Sequence, residues 1–112
     1  MPVIAKPLFN PLQAQNAETT QYTTPAGIRT IIDKFTGTNT TGAGAALTIK
    51  LVSSGGAASA SNTIVSAKTL AAGEAYTFPE VVGHVLNPGD FISTFAGTAA
   101  AITIRVSGRE VS

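Results

Sequence analysis

The sequence predicts an all-β fold, a single antiparallel β-sandwich of jelly-roll or Greek-key type that follows an extended N-terminal arm. β-Branched and aromatic runs alternate with turn residues at short spacing, two segments alternate strictly between apolar and polar residues, and no segment keeps a helical period. A chain of 112 residues has the size of one domain. We therefore assign residues 1–17 to the arm and residues 18–112 to the sandwich.

The arm is predicted from its prolines and its lack of periodicity. Pro2, Pro7 and Pro11 are followed by amide-rich residues, with no period of 2 or 3.6. Proline removes a backbone donor, and a terminal segment without a pattern is ordered only where a surface supports it. We expect the arm to rest on another molecule, and its removal to leave the sandwich folded.

Eight strands are predicted after the arm, at residues 19–24, 28–38, 47–53, 63–69, 74–78, 83–86, 90–96 and 101–107. Turn sequences separate them, such as Pro25-Ala26-Gly27 and Asn87-Pro88-Gly89. Two strands have a clear apolar face, because their apolar residues occur at every second position. These apolar residues are Leu47, Ile49 and Leu51 in one strand and Ile102, Ile104 and Val106 in the other.

A weak internal repeat joins two parts of the sandwich. Residues 25–53 and residues 88–107 each contain a turn, a strand, a small-residue loop and then a strand, ALTIKL in the first and AITIRV in the second. Two similar β-hairpin halves suit a Greek-key or jelly-roll sandwich. The alternative is that two amphipathic hairpins built from this restricted set of residues look alike by chance.

Composition disfavours several kinds of partner. Only 12% of residues are charged, and 7 Lys and Arg stand singly against 6 Asp and Glu, so no basic stripe is available for nucleic acid. The start of the chain lacks the pattern of a secretory signal, and no apolar run reaches the roughly 18 residues of a membrane span. A surface of small and hydroxyl side chains costs little to desolvate, which suits packing against other proteins.

The residues needed for catalysis are not grouped in the sequence. His84 is the only histidine, no Gly-x-Ser-x-Gly elbow occurs, and the carboxylates fall on different strands and turns. We expect no enzymatic activity, no metal and no cofactor. Glu80 with Asp90 across a loop is a weaker hypothesis for calcium. His84 is expected to bond a backbone carbonyl or to contact a neighbouring subunit.

Pro79 marks an edge or a break in a strand, since proline cannot donate to a sheet ladder. Together with the arm it predicts contacts between chains, because unpaired strand edges accept partners. The predicted interface residues are Pro2, Ile4, Pro7, Leu8, Phe9, Pro11, Pro79 and His84.

Five segments resemble small β-sandwich proteins of tailed bacteriophages. They are TTPAG at residues 23–27, IIDKFTGTN at 31–39, LAAGEAYTFPE at 70–80, LNPGDFI at 86–92 and RVSGRE at 105–110. The chain is most similar to jelly-roll decoration or cement proteins of capsids, and less similar to small tail or neck subunits. No ligand motif accompanies the resemblance.

The resemblance implies a structural protein of the virion, made in the host bacterial cytoplasm and placed on the head surface. Its implied partners are further copies of itself, as a homotrimer, and the major capsid protein. A receptor- or glycan-binding module at the tail tip is the alternative from another class. That alternative is disfavoured because tryptophan is absent and the loops consist of Ala, Gly and Ser.

Overall fold

Short strands joined by turns make up the chain, and a computed structural model describes residues 3–112 of it. The strands are β1 (Val3–Pro7), β2 (Leu12–Gln13), β3 (Thr19–Thr23), β4 (Arg29–Asn39), β5 (Ala45–Val52), β6 (Thr63–Leu70), β7 (Ala75–Tyr76), β8 (Val85–Leu86), β9 (Phe91–Ala96) and β10 (Ile102–Val111). A 3-10 turn, Ala60–Asn62, precedes β6.

The strands form two antiparallel sheets. Sheet I has the order β1-β10-β4-β7, with β2 also paired to β10 and β8 also paired to β4. Sheet II has the order β3-β9-β5-β6. The two sheets pack face to face over a common apolar core, so the prediction of an all-β sandwich is confirmed.

The two strands with the clearest pattern have the predicted buried faces. Ile102, Ile104 and Val106 are fully buried on β10, and Leu47 and Ile49 are fully buried on β5. The alternation slips at the end of β5, where Val52 is buried and Leu51 is only half-buried. Pairing between β5 and β6 shifts register on both sides of Ile49, and such irregularities re-aim the residues that follow.

The two repeated segments do not form hairpins, which corrects the interpretation of the repeat. β4 lies in sheet I and β5 in sheet II, while β9 lies in sheet II and β10 in sheet I. Each segment therefore crosses the core once, through residues 40–44 or 97–101. β4 pairs with β10 and β5 pairs with β9, so the two crossings lie side by side.

Asn39 holds the first crossing in place at the end of β4. Its fully buried side chain donates to the carbonyls of Ala43 (2.7 Å) and Leu70 (3.0 Å). Its Oδ1 accepts from the backbone N–H of Thr41 (3.0 Å) and from the hydroxyl of the same residue (2.7 Å). A buried amide with its donors and acceptor satisfied fixes the path of the loop between the sheets.

Residues 3–14 run alongside β10 of the same sandwich, whereas the sequence predicts an arm that rests on another molecule. β1 pairs along β10 from Val3 opposite Val111 to Pro7 opposite Ser107, and β2 continues on the same side. Between them the N–H of Leu8 donates to the carbonyl of Val106 (3.0 Å). β10 would otherwise be an unpaired edge, so the segment satisfies its backbone groups and needs no other molecule for support.

Leu8 tests whether this segment belongs to the core. Its side chain is 6% exposed, so we expect Leu8→Ala to lower the free energy of unfolding by about 2–5 kcal/mol through the cavity it leaves. Ile4, 57% exposed on β1, is the matched control, and Ile4→Ala should stay within about 0.5 kcal/mol of the parent protein. Urea unfolding measures both. Equal midpoints for the two variants would contradict this packing.

Candidate assembly surface

An apolar strip crosses the outer face of sheet I from one edge to the other. It consists of Val3 on β1, Val111 on β10, Ile31 on β4 and Val85 on β8. Val3 lies opposite Val111, and Ile31 lies opposite Val85, in neighbouring rows of the sheet. Val111 and Ile31 are diagonal neighbours on this face, with Arg29 opposite Val111 and Arg109 opposite Ile31. Val3 is 56% and Val85 is 53% exposed, and the other two are half-buried.

The edge of sheet I opposite to β1 is an interrupted strand. β7 and β8 both pair with β4, and the chain between them turns at residues 78–84. The N–H of Val81 donates to the carbonyl of Phe78 (3.0 Å) around Pro79. The sequence predicts that Pro79 marks an edge or a break in a strand. It marks both, because it lies in the turn that interrupts the edge strand between β7 and β8.

Phe78 anchors this turn in the core. Its backbone is left-handed, with φ of 42°, which costs a residue with a side chain about 1–2 kcal/mol. Its ring is fully buried and stands edge-on to Phe35 at 5.4 Å and to Tyr76 at 4.8 Å. Burial of a phenylalanine contributes about 1.5–3 kcal/mol, before any contribution from the ring pairs. Packing therefore outweighs the strain.

Gly37 makes the space for that ring. A Cβ at Gly37 would lie 2.8 Å from Cε2 of Phe78, closer than carbon atoms approach. The ring thus packs directly on the backbone of β4. This contact fixes the position of the 78–84 turn, which carries Pro79, Val82 and His84 at the edge of the sheet.

The predicted interface residues separate into two groups at the two edges of sheet I. Ile4, Pro7 and Pro11 are exposed on the β1 side, and Pro79 and His84 are exposed on the β8 side. Phe9 is half-buried and packs against the core. Pro2 lies outside the described residues.

Leu8 is wrong as an interface residue, because it is buried in the core of its own domain beside Gly108. The sequence reasoning also missed the four residues of the apolar strip. One signal for them is present: Ile31 and Ile32 are consecutive in a strand, so one of the two must face outward. Ile32 is fully buried, and Ile31 is the residue that faces outward.

His84 and Asp90 share a cavity of about 300 Å³ between β5 and β8. Both carboxylate oxygens of Asp90 accept backbone N–H groups, one from Ser54 and one from Asn87, each at 2.9 Å. Within residues 3–112 the His84 side chain makes no hydrogen bond to the Asp90 carboxylate, although both residues line the cavity. Asp90 therefore closes the 87–90 turn and ties it to the end of β5.

The other carboxylates have structural partners as well. Glu74 accepts the N–H of Ala71 at 2.7 Å, and Glu80 accepts the hydroxyl of Tyr76 at 3.1 Å. In the described part of the chain, no three His, Cys, Asp or Glu side chains come together as a metal site would require. The calcium site considered from the sequence, formed by Glu80 and Asp90, therefore has no third carboxylate or histidine ligand among the described residues.

Glu18 joins sheet II to the segment that precedes it. Its carboxylate accepts from the ammonium of Lys50 and, at 2.6 Å, from the hydroxyl of Ser93. Burial alone raises the pKa of Glu18, but the hydrogen bonds and the charge of Lys50 outweigh it, and the pKa lies below its ordinary value. This carboxylate stabilises the fold above its unfolded pKa, and the contribution is lost as pH falls through the folded pKa.

A partly buried polar network links the two sheets beside the apolar strip. The Tyr22 hydroxyl, on β3 of sheet II, donates to Oε2 of Glu110 on β10 at 2.5 Å. It lies 2.8 Å from the hydroxyl of Thr30 on β4. The ammonium of Lys6 on β1 completes the network with Glu110 at 3.4 Å. Four strands are thereby held together at the end of the sandwich that carries Val3 and Val111.

The chain has no match among known protein families, curated proteins or solved structures. No helix in residues 3–112 is long and apolar enough to cross a membrane. The fold and the surface therefore define the class: a small β-sandwich with an apolar strip on one sheet, two edges that carry exposed residues, and carboxylates engaged in structural contacts.

The Tyr22 network gives a pH dependence. Burial, followed by the hydrogen bond to Glu110, raises the pKa of Tyr22 to about 12. The unfolded chain loses this proton near pH 10, before the folded protein does, so stability should fall between about pH 10 and pH 12.

The titration can be observed directly, because the chain has 2 tyrosines. In Tyr76→Phe the phenolate absorbance reports Tyr22 alone, and we expect a midpoint near pH 12 in the folded protein. A midpoint at the ordinary pKa of tyrosine, about 10, would show that the Tyr22 hydroxyl is not held in this network.

Proposed function

We propose that the protein is a non-enzymatic structural subunit of a tailed-bacteriophage virion, a decoration or cement protein that binds the head surface as a homotrimer. The observation that carries the proposal is the apolar strip on sheet I, which ends in Val3 at one edge and Val85 at the other. Exposed apolar patches on a small domain are typical of protein–protein interfaces.

The strand order supports the jelly-roll assignment within this proposal. When β7 and β8 are counted as one interrupted strand, each sheet has four principal strands, in the orders β1-β10-β4-β7/β8 and β3-β9-β5-β6. Two four-stranded sheets linked by repeated crossings are the architecture of an eight-stranded jelly roll, which recurs in viral capsid domains.

The placement of the exposed residues supports a ring within this proposal. The β1 edge carries Val3 and Ile4, and the opposite edge carries Val82 and Val85, so the two patches differ and face opposite ways across sheet I. A contact between unlike patches of successive copies is heterologous and closes into a ring when its rotation allows. In a trimer each copy contributes both patches to contacts with its neighbours. Weak contacts of the three copies with the capsid shell then strengthen one another through avidity.

Substitution of Val85 tests assembly. We expect the parent protein to sediment as a trimer and Val85→Asp to sediment as a monomer, because the change places a charge in the apolar contact. Phe95, 39% exposed on the outer face of sheet II, is the matched control, and Phe95→Asp should remain trimeric. Thermal unfolding should show that both variants fold. A monomeric parent protein, or a trimeric Val85→Asp, would contradict the assembly surface.

Immunogold electron microscopy of parent particles tests the place in the virion. Antibody against the recombinant protein should label the whole head surface. Label confined to the tail or neck would replace the decoration role with that of a tail subunit. The absence of label from intact particles, together with absence of the protein from purified virions by mass spectrometry, would contradict the proposal.

A further inference from the structure

A groove of about 430 Å³ runs over the outer face of sheet I, beyond the apolar strip. Successive outward residues of β4 and β10 form its floor, and Pro11 lies at its rim. Ser107 lies opposite Lys34, Arg105 opposite Thr36, and Thr103 opposite Thr38. The groove is thus three rows of the sheet in length, about 13 Å at a rise of about 3.3 Å per residue.

Lys34 and Arg105 occupy a diagonal in the two rows nearest the apolar strip. Thr36 and Ser107 occupy the other diagonal of the same four positions. Diagonal neighbours in a sheet are within reach of long side chains, so the ammonium and guanidinium groups can converge on one ligand. Both hydroxyls stand beside them as additional donors.

The two cations of the groove have no carboxylate partner in the described residues. Lys6, Lys50 and Arg109 are each in an ion pair, but Lys34 and Arg105 are in none, and the residues lining the groove include no acid. Asp33, next to Lys34 in the chain, is occupied, because Nε of Arg109 donates to both of its oxygens at 3.0 and 3.1 Å. The positive charge of the groove is uncompensated within this part of the molecule.

We propose that this groove binds an extended, acidic segment of a partner protein, with carboxylates at alternate positions of the segment. Side chains two residues apart on an extended chain lie about 6.6 Å from each other, which equals the distance between successive rows of the groove. One carboxylate then contacts Arg105 and Thr36, and the next contacts Lys34 and Ser107. Arg105 can hold its carboxylate with two parallel hydrogen bonds.

Other ligands fit the groove less well. No aromatic side chain lines it, so a sugar ring has no stacking surface there. Two cations neutralise few phosphates, whereas nucleic-acid binding draws on many. The groove is open along its length, which suits a chain lying along β4 and β10 rather than an enclosed small molecule. The proposal does not depend on the virion role, because any acidic protein segment meets the requirement.

The test uses a synthetic peptide, acetylated and amidated, with two aspartates separated by one threonine and flanked by glycines. Amide chemical shifts of the full-length protein are recorded during titration at low salt. We expect changes centred on Thr36 and Arg105, and a dissociation constant at least about tenfold weaker in the double variant Lys34→Gln and Arg105→Gln. Raising the ionic strength should weaken binding of the parent protein, since the contacts are exposed.

Two controls separate this site from general attraction of charge. Arg29→Gln removes an exposed cation that does not line the groove, and should leave the affinity unchanged. The same peptide with asparagine in place of aspartate should not bind. Thermal midpoints of all variants should match the parent protein, because the substituted side chains are exposed.

Several outcomes would overturn the proposal. One is an equal loss of affinity in Arg29→Gln and in the double variant. A second is tighter binding of inorganic phosphate than of the peptide, which would indicate a simple anion site. A third is tighter binding of a single-stranded oligonucleotide of equal charge. A fourth is no shift change at millimolar peptide. None of these results bears on the trimer measured with Val85→Asp, so the two proposals fail separately.

Discussion

The pairing of β10 on both of its sides is the interaction on which the rest of the structure depends. β4 lies along one side for nearly the whole length of β10, and β1 and β2 share the other. Ile102, Ile104 and Val106 point from β10 into the core and are fully buried. Because strands pair along both of its sides, β10 is an interior strand, and the N-terminal residues are part of the sheet that it organises.

The register between β4 and β10 changes at one place, and that change sets the outer face of sheet I. Gly108 lies opposite Ile32 and Ser107 opposite Lys34, so Asp33 is the extra residue of a bulge. Gly108 fits there because a side chain would meet the backbone of Ile31 and the methyl groups of Leu8. Asp33 is thereby free to pair with Arg109, while Lys34 turns into the groove. One bulge separates the apolar strip from the cationic groove.

The apolar strip and the cationic groove both lie on the outer face of sheet I, and both proposals rest on contacts made there. The protein's carboxylates are engaged at strand ends and turns, as Asp90 and Glu110 show. Val3, Ile4 and Val85, its most exposed apolar residues, lie on sheet I, with Lys6 and its partner Glu110 close to the β1 edge. Charges near an edge limit indiscriminate pairing with other chains. The proposed trimer uses the strip, and the proposed acidic segment uses the groove.

Local pattern was sufficient for the sandwich, for most strand positions and for the buried faces of β5 and β10, because an apolar residue at every second position has one stable solution in a sheet. The sequence also indicated the exposed edge at Pro79. From the sequence, residues 1–17 are expected to lie apart from the sandwich, because their prolines hide the period of a strand. The two crossings are expected to be hairpins, because loops of the same length serve both kinds of connection.

Only the tertiary structure decided these features, because each depends on which distant strand lies alongside. Leu8 is buried because β10 lies beside residues 3–13. Lys34 and Arg105 are diagonal neighbours because Ser107 lies opposite Lys34 and Thr36 lies opposite Arg105. Gly37 and Phe78 are equally remote in the chain, and their contact sets the second edge of sheet I. Sequence periodicity tells which way a side chain faces, whereas strand order tells what it meets.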